Sequence, residues 1–303
     1  MPERRVVSLH DGSQMPTVGL GTWKAEPSKV GNAVSVAIRE GYRHIDCAAV
    51  YGNEGEVGQA LIESIQSGVV KREEMFIVSK LWNADHQHAK VKPALERSLK
   101  LLNLDYIDLY LMHWPLAMHD DRSLNFDIHF METWKAMEEL VDCGLARHIG
   151  LSNFNQAQIS EVLSSGRIHP AVLQIENHPY LTQTELVEFC LSNNIQVTAY
   201  CPLARAGFPR PDRPGNLLEH PTVCSIAAAH NATPTQVLVR FQLERGITVI
   251  PKSVTAERIK ENIQVFAFSF SDEEMKSLHA INLDWRIVPN EGCREHPLFP
   301  FSL

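Results

Sequence analysis

The sequence of 303 residues predicts an α/β chain folded as a closed (β/α)8 TIM barrel. Three observations carry this prediction. From about residue 16 onward, a short apolar run followed by an amphipathic helical stretch recurs, eight times in all. Strands that alternate with helices pair in parallel through right-handed crossovers. Eight such units over about 240 residues match the size of this barrel; the runner-up, an open doubly wound sheet, needs about six units and a switch point.

The strand runs fall at 17–22, 44–48, 76–80, 107–114, 147–153, 172–177, 196–200 and 248–252. Helical segments lie at 28–40, 54–68, 88–102, 130–143, 155–165, 183–193, 220–244 and 255–264. Ser28 is expected to cap the first helix, Asn155 the fifth, and Thr182 or Thr184 the sixth, because their side-chain oxygens can accept from free first-turn amides. Gly41, Gly68, Gly144 and Gly166 punctuate helix ends, where φ commonly turns positive. Ahead of the first unit, an Asp11-Gly12 turn between two apolar bits predicts a small β-hairpin that plugs the barrel bottom. Three stretches break the rhythm: 115–129, 203–219 and the tail from about 285. The last two are proline-rich (Pro209, Pro211, Pro214; Pro289, Pro297, Pro300). Long loops following barrel strands are expected at the C-terminal face as lids or binding loops, with surface decoration as the plain alternative.

Composition sets limits on function. Hydrophobic residues at 44% and charged residues at 21% are ordinary for a folded globular chain. A formal charge of −8 without a basic block argues against nucleic acid as a partner. The six cysteines (Cys47, Cys143, Cys190, Cys201, Cys224, Cys293) lack paired or metal-type spacing, so they read as reduced thiols of a cytoplasmic chain with no bound metal. No leader-like or membrane-spanning apolar stretch is seen, and one domain is expected over 1–303.

Chemistry is expected where strands end. In such a barrel, Asp46, Tyr51, Lys80 and His113 come from neighbouring strands and converge on one mouth. Taken singly, each has an ordinary explanation: a snorkelling surface lysine, a structural histidine, a paired acid, a rim aromatic. Together they suit proton transfer to a carbonyl. A lysine about 4 Å from a tyrosine stabilises the phenolate by about 4 kcal/mol at an effective dielectric near 20. That predicts a fall of roughly 3 units from the tyrosine's usual value of about 10. Asp46 orients the lysine, and His113 donates to the carbonyl oxygen. The electron source is not announced by a Rossmann fingerprint, since Gly19-Leu20-Gly21 runs into Thr22-Trp23-Lys24. Lys252, Ser253 and Arg258, where the last strand enters a helix, form a candidate phosphate site instead; a capped helix with surface charges is the plainer reading.

These residues resemble the aldo-keto reductase superfamily over nearly the whole chain, and within it the aldose and aldehyde reductase branch. The resemblance is carried by Gly41-Tyr42-Arg43-His44-Ile45-Asp46-Cys47-Ala48-Ala49-Val50-Tyr51-Gly52-Asn53-Glu54, Leu109-Tyr110-Leu111-Met112-His113-Trp114-Pro115, Ile149-Gly150-Leu151-Ser152-Asn153-Phe154 and Ile250-Pro251-Lys252-Ser253. It implies NADPH as cofactor, with Tyr51 as general acid in a tetrad with Asp46, Lys80 and His113. It further implies that Ser152, Asn153 and Gln174 hold the nicotinamide carboxamide, that Tyr200 stacks on the ring, and that Gly21, Thr22 and Trp23 line the same site. Cys201-Pro202-Leu203 would run beside the pyrophosphate, where many relatives have serine first. Lys252, Ser253 and Arg258, with Val254 in the same segment, would meet the 2′-phosphate, and Glu261 with Asn262 the adenine.

A histidine at 113, where the steroid double-bond reductases of the family have glutamate, points to carbonyl reduction. The substrate pocket implied is apolar, made by Trp23, Val50, Tyr51, Trp82, His113 and Trp114, with Phe126 as a further candidate. Small carbonyl compounds, aldehydes first, are then the substrates of an enzyme that is monomeric by family analogy. The loops at 115–129, 203–219 and 285–303 depart from the family pattern, so the particular substrate is left open. Two other functions compete: an NADPH-binding barrel with a regulatory or structural role, and a Schiff-base aldolase using Lys80 or Lys252.

Overall fold

The computed structural model describes residues 5–204, 212 and 214–301. Strands β1 (Val6–Ser8) and β2 (Gln14–Pro16) form an antiparallel hairpin, with Val7 opposite Met15. The barrel strands begin with β3 (Leu20–Gly21), β4 (His44–Asp46), β5 (Phe76–Leu81) and β6 (Ile107–Met112). A two-stranded insert, β7 (Ala117–Met118) with β8 (Leu124–Asn125), follows β6. The barrel resumes with β9 (Ala146–Ser152), β10 (Val172–Glu176), β11 (Gln196–Tyr200) and β12 (Thr248–Val249).

The eight barrel strands run in sequence order across one parallel sheet. Parallel bridges Val18–Val249 and Gly21–Lys252 close it. At this seam backbones approach too closely for a side chain, because a Cβ on Gly21 would lie 2.8 Å from the Ile250 carbonyl oxygen. Both closing strands are shorter than their apolar runs. For β12 the cause is chemical: Pro251 has no N–H to extend the ladder.

Ten helices surround the sheet among the described residues. Helices α1 (Val30–Arg39), α2 (Glu54–Gln66), α3 (His88–Leu102), α4 (Phe130–Asp142), α5 (Gln156–Ser165) and α6 (Thr184–Ser192) keep close to the expected spans. The expected helix over 220–244 is two helices, α7 (Pro221–Ala229) and α8 (Pro234–Glu244). Thr233 caps the second through a reciprocal box with Gln236, and Pro234 occupies its first turn, where the missing N–H is harmless. After α9 (Ala256–Ile263) comes an unanticipated helix, α10 (Asp272–His279), started by a Ser271–Glu274 capping box.

Asn155 caps α5 as expected, again in a box with Gln158. Ser28 does not cap α1: its φ is 65° and Lys29 stands at the cap without a side-chain bond. Nor does Thr182 or Thr184 cap α6, where Gln183 is the cap residue at φ 44°. Gly41, Gly68 and Gly144 do take positive φ, but Gly166 sits at −79°. Its constraint is space, with the Trp134 Nε1 only 2.6 Å from where a Cβ would be.

The hairpin plugs the barrel bottom as the sequence suggested. Leu9 and Met15 are buried against Phe76, Val78, Leu109, Leu111 and Val172. With one end packed by this apolar layer, the open mouth is left at the strands' C-terminal ends. The stretch 115–129 contains the β7–β8 hairpin rather than a structureless loop. Of the 203–219 loop, residues 205–211 and 213, including Pro209 and Pro211, lie outside the described residues.

Candidate active site

The mouth is built by strand ends. Asp46 terminates β4, Lys80 lies next to last in β5, His113 follows β6, and Ser152 closes β9. Parallel pairing puts Asp46 beside Val78 and Gln174 beside Ser152, so side chains distant in sequence share one level of the barrel. Tyr51 stands on a short 3-10 turn after β4, ended by Gly52 at φ 69°.

Lys80 and Asp46 form a fully buried ion pair, Nζ to Oδ2 2.7 Å. Lys80 also donates to the Cys47 carbonyl (2.8 Å) and to the Tyr51 hydroxyl (3.2 Å). The other carboxylate oxygen of Asp46 accepts from Gln174 Nε2 at 2.7 Å. A buried charge pair persists when the remaining lone pairs and protons are satisfied, and the hydrogen bonds around this one meet that condition.

The tyrosine departs from the expectation of a lowered pKa. Burial, followed by the Asp46 carboxylate, pushes the Tyr51 phenol well above its ordinary 10. The main physical reason is that a buried phenolate loses its hydration; in addition Asp46, paired with Lys80 at 2.7 Å, opposes the lysine's field, so the phenol meets an ion pair instead of a lone cation. Tyr51 in this site is a firm proton holder. Burial and the neighbouring Lys80 charge push His113 well below 6.5, so its ring is neutral near pH 7. Its Nδ1 is buried and has no protein partner. The His113 ring meets Tyr51 edge-on at 5.9 Å and Trp82 at 5.4 Å, which fixes its plane.

Asn153 ties a second part of the mouth together. It takes φ 61°, a left-handed conformation that asparagine tolerates. Its Nδ2 donates to the His113 carbonyl (3.0 Å) and to Ser152 Oγ (3.1 Å), and its Oδ1 accepts from the Tyr200 hydroxyl (2.7 Å).

These groups open into a cavity of about 560 Å³. From the sequence-predicted set it brings together Gly21, Trp23, Asp46, Val50, Tyr51, Trp82, His113, Trp114, Ser152, Asn153, Gln174, Tyr200, Cys201, Pro202, Leu203 and Lys252. Thr22 stays behind the wall, donating to the Asp46 carbonyl at 2.8 Å. Phe126 is not a pocket wall. It is 58% exposed and stacks on His296, 5.3 Å between centroids, because the β7–β8 hairpin carries it to the rim. Lys24, Ile250, Val288 and Asn290 also line the cavity, and sequence reasoning missed them. Ile250 was legible beside Lys252. Val288 and Asn290 belong to the tail, whose path over the mouth has no periodicity to read.

The segment after β12 fits a phosphorylated nucleotide. Lys252 and Arg258 are exposed cations on either side of the start of α9. Ser253 is buried, and its hydroxyl accepts from the Thr255 amide at 3.2 Å. Farther along, Asn262 is 3% exposed and its Oδ1 has no protein partner, as a ligand-facing amide would be. Glu261 already accepts from Thr233 Oγ1 at 2.7 Å through one oxygen, which leaves the other. Ser253, Val254, Arg258, Glu261 and Asn262 lie outside the cavity lined by the tetrad, along the chain leading away from Lys252.

A sequence model described as the aldo/keto reductase family matches residues 17–283. The chain belongs to this family. Mouse aldo-keto reductase family 1 member A1 is 50% identical over 318 residues, with 98% of each chain covered. The human protein of the same name is 49% identical with equal coverage. Among solved structures, the aldo-keto reductase of Bombyx mori in complex with NADP superposes at a TM-score of 0.94, with 40% identity and 98% of each chain covered. The aldose reductase from Schistosoma japonicum gives 0.91 and 43%, covering 100% of this chain and 99% of that one. As an aldo/keto reductase, the chain is an oxidoreductase of carbonyl compounds.

Proposed function

We propose that Tyr51 is the proton donor of an NADPH-dependent aldehyde reductase, supported by Asp46, Lys80 and His113. The observation that carries the reading is the contact of one buried ammonium, Lys80, with both Asp46 and Tyr51. Bound NADPH supplies the hydride to the carbonyl carbon. The protein's own part is to fix the carbonyl and deliver the proton. His113, neutral and held by its ring contacts, donates a hydrogen bond to the carbonyl oxygen. Tyr51 gives up its phenolic proton to the same oxygen as negative charge develops there. Lys80 already donates to the Tyr51 hydroxyl at 3.2 Å, and this hydrogen bond strengthens as negative charge grows on that oxygen.

Binding follows from the rest of the mouth. Ser152, Asn153 and Gln174 present amide and hydroxyl groups for the carboxamide of the nicotinamide, and Tyr200 offers its ring face. Gly21 and Trp23 line the same site with Thr22 behind them, and Cys201, Pro202 and Leu203 run toward the pyrophosphate. Lys252, Ser253, Val254 and Arg258 receive the 2′-phosphate, and Glu261 and Asn262 the adenine. A second phosphate on the ribose favours two nearby cations, hence NADPH over NADH. Trp23, Val50, Trp82 and Trp114 give the substrate side an apolar wall, suited to aromatic and aliphatic aldehydes. We read residues 1–303 as one catalytic barrel acting as a cytoplasmic monomer on small molecules. The free cysteines among the described residues agree with a reducing compartment, and no described helix is long and apolar enough to cross a membrane.

The test is NADPH oxidation against a panel of aldehydes, sugars and ketones. Turnover with an aromatic aldehyde is expected, and Tyr51→Phe should lower it by about 10²–10⁴-fold while cofactor binding persists. Undiminished turnover in that variant rules out the proton-donor role. A barrel that binds NADPH without reducing any of the panel would instead fit the regulatory reading. Trapping of a Lys80 or Lys252 adduct by borohydride would fit the aldolase.

A further inference from the structure

Strand β10 ends in two buried polar side chains on the same side of the strand. Gln174 reaches Asp46, as described. Two residues on, Glu176 is completely buried and does something different. Its Oε1 accepts from the Ile287 amide at 2.6 Å and its Oε2 from the Val288 amide at 2.8 Å. Its Oε1 also lies 2.9 Å from Nε2 of His178, which is buried as fully as Glu176 itself. A carboxylate is thus forked onto two successive backbone N–H groups of the C-terminal tail, more than a hundred residues away in sequence.

The tail is fastened beyond this fork as well. Arg286, just before it, donates to Gln183 Oε1 (3.2 Å) and lies 3.6 Å over the Phe301 ring. The far end is held where Gln158 Nε2 donates to the Leu298 carbonyl (2.9 Å) and His296 Nε2 meets the Asn125 carbonyl (2.9 Å). Between these anchors the tail crosses the mouth, and Val288 and Asn290 face the cavity there. Residues 291, 292, 294 and 295 of this span are exposed, and between its ends only Cys293 turns inward, packed with Trp114 and Leu116. The Val288 amide donates to Glu176 Oε2, and the residue lines the cavity. Glu176 therefore fixes the first wall residue directly.

We infer that Glu176 is a positioning residue for substrate selectivity: by gripping the Ile287 and Val288 amides it holds the Val288–Asn290 wall against aldehydes large enough to reach it. A short aldehyde occupies only the depth of the cavity, near Tyr51 and His113. A ring-bearing aldehyde extends to the tail and meets an apolar Val288 beside the amide of Asn290. The inference rests on the aldehyde-reductase reading of this same cavity.

Steady-state kinetics with NADPH, propanal and 4-nitrobenzaldehyde test it. Glu176→Gln keeps the shape of the side chain but turns one acceptor into a donor facing an N–H. It is expected to raise the KM for 4-nitrobenzaldehyde relative to that for propanal on the order of ten-fold, the scale of a lost apolar contact. NADPH affinity should be retained. The double variant Val288→Ala/Asn290→Ala should shift the same ratio, and adding Glu176→Gln to it should change the ratio little further, because the wall through which Glu176 acts is gone. An unchanged ratio in folded Glu176→Gln, or a full additional shift in the triple variant, overturns the inference. Hydrogen exchange on the unaltered protein provides an arm that needs no substitution: the Ile287 and Val288 amides should be protected like the barrel strands, and exchange as fast as that of 291–295 overturns the grip. Failure of the parent enzyme to turn over either aldehyde contradicts the reading of the site itself, whereas turnover with unaltered selectivity contradicts only the role of Glu176.

Discussion

The two sides of the mouth are held by different physics. The side proposed to handle the proton consists of strand ends, where Asp46, Lys80 and Gln174 are almost completely buried and Asp46 is bonded to the other two. The side proposed for the substrate is made of loops and the tail: Val50 is 38% exposed, and Val288 and Asn290 lie on a segment held by the Glu176 carboxylate and by Cys293 packed with Trp114. On the first side geometry comes from the sheet ladder, so a displaced group costs buried hydrogen bonds. On the second it comes from a few side-chain clamps, so shape can vary while the chemistry stays fixed. An enzyme that keeps one reaction and changes substrates needs this division.

The hardest blow to the strand-end side is Lys80→Met. It should leave Asp46 charged and unpaired in the interior, destabilising the fold by about 3–5 kcal/mol. Turnover should fall along with it, in the range of about 10²–10⁴-fold. Denaturant unfolding and NADPH oxidation measure the two losses. If stability were untouched, the contrast between a rigid and an adjustable side would collapse.

Acid stresses the buried interior outside the mouth cavity. Burial lowers His44 to about 4 and His86 to about 3, from 6.5. These rings are neutral in the folded chain, so the unfolded chain binds more protons once pH drops below 6.5. Their contribution is therefore fully present above 6.5 and is lost as pH falls toward 4 for His44 and 3 for His86, by up to about 1.4 kcal/mol per unit for each ring. Unfolding midpoints between pH 7 and 4 should drop accordingly, and a flat profile would contradict neutral burial.

The nucleotide end should respond more gently. Lys252→Ala is expected to weaken NADPH binding on the order of ten-fold, the scale of one charge-assisted contact, with NADH little changed. Fluorescence titration with both cofactors checks this, and equal weakening would contradict a 2′-phosphate contact. The smallest effect belongs to Phe126→Ala. With its ring stacked on His296 at the rim, KM for aromatic aldehydes should stay within about two-fold, as for other surface changes. A larger shift would bring Phe126 back into the pocket.

Much of the first side was legible in the sequence. Asp46, Lys80 and His113 sit at the ends of apolar runs, and a barrel brings every such end to one mouth. Ser152 and Asn153 were named through the family resemblance. The reading of Tyr51 as acidified by Lys80 failed because a pairwise estimate leaves out the burial of the phenol first, and the charge of Asp46 beside the same ammonium second. Helix breaks were half legible: the Thr233-Pro234 start of α8 and the Ser271–Glu274 box of α10 carry local signals that a search for eight even units passed over.

By itself, then, the sequence determined the repeating strand–helix order, the hairpin plug and the residues capable of chemistry. All of these follow from local periodicity and from side-chain type. The tertiary structure alone decided the closing seam at Gly21 and Lys252, the neutralising geometry around Tyr51, and the path of the tail gripped by Glu176. Each depends on contacts between residues far apart in the chain, where no local pattern announces which backbone amide a buried carboxylate will hold.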